Sequence, residues 1–233
     1  MFYFKQFSVS HEKSSMKIGT DAVLLGCFAD VTDCRDEGCF SPTILEIGCG
    51  CGVISLMLAQ RFPNYKIKAI DIHKPSVDEA FENFRNSPWK DRLEAKHQSL
   101  QEFSESCFEK FDIIVCNPPF FSKSLESPVE ARNNARHTTT LSYEDLVLHS
   151  KKLLTPKGKF SVIIPTLELA NFQKSILQSE LHIHEILHLF GAKREQSKRV
   201  ILKSGFENKM PIEKAYNYFE NYAELAKDFL YLD

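Results

Sequence analysis

A chain of 233 residues with 43% hydrophobic and 26% charged residues has the balance of an ordinary globular protein. That excludes a disordered, collagen-like or repeat-built chain and leaves room for one catalytic domain rather than two. The 29 Lys and Arg against 31 Asp and Glu give a formal charge of −2, so a nucleic-acid substrate would need a local basic patch rather than a global positive field.

In chain order, the opening MFYFKQFSVSHEKSS lacks a signal peptide's apolar segment, and no apolar run approaches transmembrane length. A cytoplasmic protein with no membrane partner is expected. A first helix is expected within 16–29, where Thr20 and Asp21 precede apolar residues as a cap would. Residues 32–42 have loop composition. A strand at 43–47, a helix at 53–62, a strand at 66–72 and a helix at 75–85 follow, then strands at 93–97 and 111–116, a helix at 142–154 and a strand at 159–164. Such alternation predicts an α/β fold with a mostly parallel sheet and helices on both faces. Two further strand-like runs, 181–190 and 198–206, are separated by seven residues, too few for a crossover helix of about ten, so they should form an antiparallel hairpin. One domain spanning 1–233 is expected, with 1–40 as an N-terminal cap and leading helix and 207–233 as a C-terminal packing helix.

The junction ILEIGCGCGVISLML places Glu46, Gly48, Gly50 and Gly52 in the spacing ExGxGxG. Glycines there permit tight turns and close approach of a ligand to amides at a helix N-terminus. A dinucleotide fingerprint would put Gly or Ala where Val53 stands, and a phosphate-binding P-loop would need a lysine after its last glycine. Asp71 ends the next strand 23 residues after Gly48, close to the ~20-residue spacing at which an acidic side chain reaches a ribose hydroxyl. Cys49 and Cys51, in the same loop, lack further soft ligands nearby. They are small turn fillers, and no metal is expected. The odd total of seven cysteines suits reduced thiols.

The segment FDIIVCNPPFF carries a buried strand into Asn117, Pro118, Pro119 and Phe120. Two prolines fix φ and hold Asn117 extended, so its amide oxygen and the Pro118 carbonyl become rigid acceptors. Together they can take both hydrogens of one NH2 group, and Phe120 can stack on a planar ring. An adenine or amide nitrogen is a poor nucleophile because its lone pair is delocalised. Fixing its hydrogens turns the lone pair toward an electrophile, so Asn117 and Pro118 are assigned positioning rather than base chemistry.

The glycine loop with Asp71 resembles motifs I and II of class I S-adenosylmethionine-dependent methyltransferases, and NPPF resembles motif IV of amino-methyltransferases acting on adenine N6 or glutamine amide nitrogen. KIGTDAVLLG at 17–26, ARHTTTLSYEDL at 135–146 and KDFLYL at 227–232 resemble the bacterial enzymes that methylate N6 of the adenosine just 3′ of the anticodon in a valine tRNA. This resemblance implies a Rossmann-like sheet of seven strands, S-adenosylmethionine as cofactor with S-adenosylhomocysteine as product, and tRNA as partner; a monomer with no obligate protein partner is expected. It also implies cofactor contacts from Thr20, Asp21, Glu46, Gly48, Gly50, Gly52, Asp71, Ile72 and Asn117. Many relatives bind the cofactor adenine amine through an acidic residue after the third strand. Gln98 or Ser99 stands there instead. Glutamine in a protein, adenine in ribosomal RNA and a non-catalytic cofactor-binding module remain open alternatives.

Between 192 and 204, Lys193, Arg194, Lys198, Arg199 and Lys203 face Glu195 alone, a local charge of +4 that could contact phosphate or protect a solvated hairpin edge. Lys123, Arg132, Arg136 and His137 follow the NPPF turn and could fold over an entering nucleotide. His182, His184 and His188 fall on one face by period-two alternation, as a packed or solvated strand face or as metal ligands. Tyr3, Phe4 and Phe7 read as core packing or an aromatic lip.

Overall fold

In the computed structural model, which describes residues 1–30, 42–119, 141–192 and 196–231, the apolar runs become neighbouring strands of one sheet. A short ribbon of β1 (Phe2–Tyr3) and β2 (Ser8–Val9) leads to α1 (Thr20–Phe28). The alternating series then runs β3 (Thr43–Ile47), α2 (Val53–Arg61), β4 (Lys66–Asp71), α3 (Lys74–Arg85), β5 (Leu93–His97), α4 (Leu100–Ser106) and β6 (Phe111–Cys116). From residue 141 onward come α5 (Tyr143–Leu153), β7 (Leu154–Pro165), α6 (Leu169–Leu177), β8 (His182–Phe190), β9 (Arg199–Gly205), β10 (Ile212–Asn217) and α7 (Tyr218–Ala226).

The strand order is β10-β8-β9-β7-β6-β3-β4-β5. Strand β9 runs antiparallel to both neighbours, and every other pairing in this sheet is parallel. The expected hairpin is therefore present as β8 and β9. The sheet has eight strands, however, not seven. The additional strand, β10, lies inside the tail expected to be a packing helix, of which Tyr218–Ala226 is helical. Its residues are exposed or half-buried, so no apolar alternation announces it. A backbone ladder to β8 defines it instead.

Central strands divide their side chains between two apolar layers. Ile44, Ile113, Val115, Ile163 and Ile201 pack with α1, α2, α3 and the end of α7, while Leu45, Ile47, Ile114, Cys116, Val162 and Leu202 pack with α4, α5 and α6. Half-buried arginines close the helix ends. Arg92 donates to the carbonyls of Ala59, Phe62 and Tyr65 at the end of α2, and Arg61 donates to Gly26 and Ala29 at the end of α1.

Residues 10–15 are strapped to α3 by a polar stripe. Glu79, buried at 4% exposure, accepts from the Ser10 and Ser14 hydroxyls and from the amides of Glu12, Lys13 and Ser14. Burial alone would raise this carboxyl, but the donors outweigh it and hold its pKa at about 2. Because the folded value lies below the usual 4.5, ionised Glu79 contributes stability above that pH and loses it as pH falls toward 2. In urea unfolding, Glu79→Gln should cost roughly 2–3 kcal/mol near neutral pH, with the difference from wild type shrinking between pH 4.5 and 2.

Candidate active site

Strand β3 lies between β4 and β6, with Ile47 paired to Ile70 on one side and to Cys116 on the other. The chain proceeds from β3 to β4 and β5 in one direction and to β6 and β7 in the other. The crevice outside the carboxyl ends therefore opens where Gly48 leaves β3 and Asn117 leaves β6, at the switch point of the sheet.

Three glycines turn the chain from β3 into α2 with left-handed φ values of 69°, 53° and 78° at Gly48, Gly50 and Gly52. The amides of Gly48 and Cys49 donate to the Ile70 carbonyl at 2.9 and 3.1 Å, and the Gly52 amide donates to the Cys49 carbonyl at 2.8 Å. A Cβ on Gly50 would meet nothing within 4 Å, whereas one on Gly52 would lie 2.4 Å from the Phe84 ring. Space over Gly50 is thus open to a ligand, and Gly52 is required by the close approach of α3.

Asp71 joins the loop to the next turn, accepting from the Gly50 amide at 2.8 Å through Oδ2 and from the His73 amide at 2.8 Å through Oδ1. Each oxygen keeps a lone pair for a diol. Ile72 beside it is 55% exposed and offers an apolar face to a planar ring. Glu46 is buried beneath the loop, where Oε2 accepts from the Ser55 amide at 2.8 Å and from the Ser55 hydroxyl, and Oε1 has no partner among the described residues. Burial pushes its pKa up to about 8 against those Ser55 bonds. Burial likewise raises the Cys51 thiol to about 12 and Cys49 upward, so both remain protonated fillers of the turn.

On the opposite wall, Asn117 Oδ1 is buried with no hydrogen-bond partner among the described residues, Pro118 is buried and Pro119 is exposed. An unpaired buried acceptor is costly, and this one marks the spot where a donor is expected. Phe120, Lys123, Arg132, Arg136 and His137 lie outside the described residues.

Several expected residues have other partners. Gly19 is the N-cap of α1, so Thr20 and Asp21 do not cap it; Thr20 is exposed, and Asp21 pairs with Arg199 at 2.7 Å. Ser99 is the N-cap of α4 in a reciprocal box with Glu102, and the Gln98 amide nitrogen donates to Ser106 at 3.2 Å. The Ser99 hydroxyl thus already accepts from the Glu102 amide as the cap of α4. Lys203 is 6% exposed and bonded to Asp30 and Glu185 at 2.7 and 3.0 Å, which takes it off the basic face of the hairpin, while half-buried Arg199 is shared with Asp21. Lys198 remains exposed, while Lys193 and Arg194 lie outside the described residues. The three histidines do not share a face, because a bulge at His184 shifts the β8 register. His184 is buried against the Glu207 carbonyl instead. Phe4 and Phe7 stack at 4.3 Å in the core, and Tyr3 is exposed.

The sequence gives no warning of Ser55, or of Asn83, which donates to Cys51 O at 2.9 Å from α3. The available signal is the spacing of Ser76, Glu79 and Asn83, polar residues on the same helix face as Ala80.

The family model of the methyltransferase small domain matches residues 18–187. A tRNA1(Val) (adenine(37)-N6)-methyltransferase of Phocaeicola vulgatus is 40% identical, covering 98% of this chain and 96% of its own length. One of the same name from Flavobacterium psychrophilum is 40% identical over 87% of this chain and 84% of its own. Among solved structures, a predicted O-methyltransferase of Agrobacterium tumefaciens superposes with a TM-score of 0.62 at 15% identity, covering 84% of this chain and 86% of that one. That likeness is one of fold.

The raised Glu46 pKa makes stability depend on pH with a definite sign. Native Glu46 holds its proton to about pH 8, while the unfolded carboxyl releases it near 4.5. Stability contributed by the neutral form is therefore present below 4.5 and lost as pH rises toward 8. Glu46→Gln, which keeps the shape without the titration, should flatten that decline when chemical unfolding is followed from pH 5 to 8.

Proposed function

The chain belongs to the methyltransferase small domain family, and from that premise we propose that it transfers a methyl group from S-adenosylmethionine to N6 of an adenosine in a tRNA anticodon loop, adenosine 37 of a valine tRNA. The observation that carries this reading is the buried, unpartnered Asn117 Oδ1 at the switch point, across from an open glycine loop. The tRNA and the nucleotide follow the names of relatives at 40% identity over most of both chains.

The residues present fit the cofactor. The open space above Gly50 admits a ligand against the loop, Asp71 presents two carboxylate oxygens for the ribose hydroxyls, and exposed Ile72 supplies an apolar face for the adenine. When bound, the cofactor supplies an electrophilic sulfonium methyl. Asn117 Oδ1 and the Pro118 carbonyl accept the two hydrogens of the target amine and aim its lone pair into the crevice. Neither group is a base, so the proton released as the N–C bond forms leaves to water. Phe120, next in the sequence, is the ring on which the base would stack. A loop nucleotide is less firmly stacked than one in a duplex, which lowers the cost of flipping it.

The protein, as a monomer in the cytoplasm, meets its RNA at the carboxyl edge of the sheet. Lys198 lies there, because its carbonyl accepts from the Thr166 amide just beyond β7. Lys193, Arg194, Lys123, Arg132 and Arg136 are the sequence's further cations for phosphate, giving an affinity that falls with salt.

Incubation with methyl-labelled cofactor and either total tRNA or total protein tests the reading. Label should enter tRNA at one adenosine; label in protein, or cofactor binding with no transfer, would overturn it. Asn117→Ala should lower turnover at least about 100-fold while cofactor affinity stays within about threefold.

A further inference from the structure

We propose that Asn83 is a positioning residue for the cofactor site, setting the glycine loop and the strap of residues 10–15 in register on one face of α3. Asn83 is 5% exposed and uses its whole amide. Nδ2 donates to the Ser10 carbonyl at 2.8 Å and the Cys51 carbonyl at 2.9 Å, and Oδ1 accepts from the Ser10 amide at 2.9 Å. A buried primary amide supplies two donors and one acceptor at a single point.

The bond to Cys51 O carries the consequence. The peptide unit between Cys51 and Gly52 is held at both ends, its carbonyl by Asn83 and its N–H by the Cys49 carbonyl at 2.8 Å. That unit lies between Gly50 and Gly52, whose φ values of 53° and 78° belong to a region where glycine moves freely. Without a donor on Cys51 O, the loop would rest on the amides of Gly48, Cys49, Gly50 and Gly52, and the carbonyl side of the Cys51–Gly52 peptide would lose its anchor. The neighbouring residue on α3, Phe84, closes the other side of Gly52. One helical turn thus fixes both the plane and the packing of the loop.

The same face of α3 aligns the strap. Ser10 takes two of the three Asn83 bonds, Glu79 binds residues 10 to 14, and the Ser76 hydroxyl accepts from the Ser15 amide at 3.2 Å. The strap continues to Gly19, where α1 begins. Asn83 is the group in this stripe that bonds to both strap and loop. It touches no reacting atom and acts through the geometry of the amides near Gly50, so its effect should fall on cofactor binding rather than on the chemical step.

This inference rests on the proposed use of S-adenosylmethionine, and the experiment separates the two. Binding of S-adenosylhomocysteine to the full-length wild type, measured by calorimetry, tests the cofactor alone. In Asn83→Asp, which keeps the volume and the acceptor for Ser10 but loses both donors, the dissociation constant should rise at least tenfold, with kcat at saturating cofactor within threefold of wild type. Asn83→Ala should show the same split. Ser87→Ala serves as the comparison: it breaks the bonds of Ser87 to Phe84 O and Trp89 N at the end of the same helix and should lower the melting temperature without moving the dissociation constant. Deuterium exchange of the peptide covering 48–52, without cofactor, should be faster in Asn83→Asp and unchanged in Ser87→Ala. A wild type that binds and transfers normally beside an Asn83→Asp dissociation constant within twofold of it overturns the positioning role. So does an equal loss of affinity in Ser87→Ala, which would reduce the effect to general stability.

Discussion

The constraint on which the rest depends is the reversal from β3 into α2. Between Ile47 and Val53 the chain must leave a strand buried on both faces and start a helix packed against the same sheet. Every backbone polar group on the way needs a partner or an opening to solvent. Left-handed turns at Gly48, Gly50 and Gly52 make the reversal possible, and the Ile70 carbonyl, Asp71 and Asn83 take the groups it exposes. The two neighbouring strand ends are drawn into one site by this reversal. Asp71 cannot hold Gly50 unless β4 ends level with β3, and Asn117 faces the same crevice because Cys116 is in register with Ile47.

Buried carboxylates in this protein are accommodated in different ways. Glu79 is surrounded by donors and stays ionised, whereas Glu46 has one oxygen served by Ser55 and the other by nothing, and burial wins. The difference follows from what each anchors. Glu79 collects an irregular strap whose amides have no ladder to join, so donors are plentiful. Glu46 projects from a strand whose amides are already paired, and only the free first turn of α2 can reach it. As pH changes, these two acids pull stability in opposite directions.

Much of this was legible in the sequence, for a physical reason. Strands β3 and β6 are buried on both faces and appear as short apolar runs, while β4 alternates between buried and more exposed positions; the Gly, Asp and Asn-Pro that punctuate the three are the candidate site. Elements at the margin were less visible. β10 is a charged edge strand, and α6 lies between segments with stronger signals. Helix α4 carries its own capping box, Ser99 with Glu102, in a segment where an adenine acceptor competes for the same residues. Asn83 was hidden because its importance lies in what it touches, 73 residues away at Ser10 and 32 at Cys51.

Charge shows the same limit more sharply. A count along 192–204 gives a +4 stretch, yet the partners of two of its cations lie far away in sequence: Asp21 is 178 residues from Arg199, and Asp30 is 173 from Lys203. Buried Lys203 and half-buried Arg199 tie α1 and the residues just after it to β9. Helix α1 is consequently fixed at its first turn by Arg199 and at its last by Arg61, and its leading segment is held by α3. The outward face of the hairpin keeps fewer charges than the sequence implies. In exchange, the inward pairs make β9, beside the proposed RNA-facing edge, and α1, beside the glycine loop through α2, parts of one braced assembly. Two basic residues of one hairpin, Arg199 and Lys203, thus serve the architecture of the cofactor side, while Lys198 stays exposed at the carboxyl edge of the sheet.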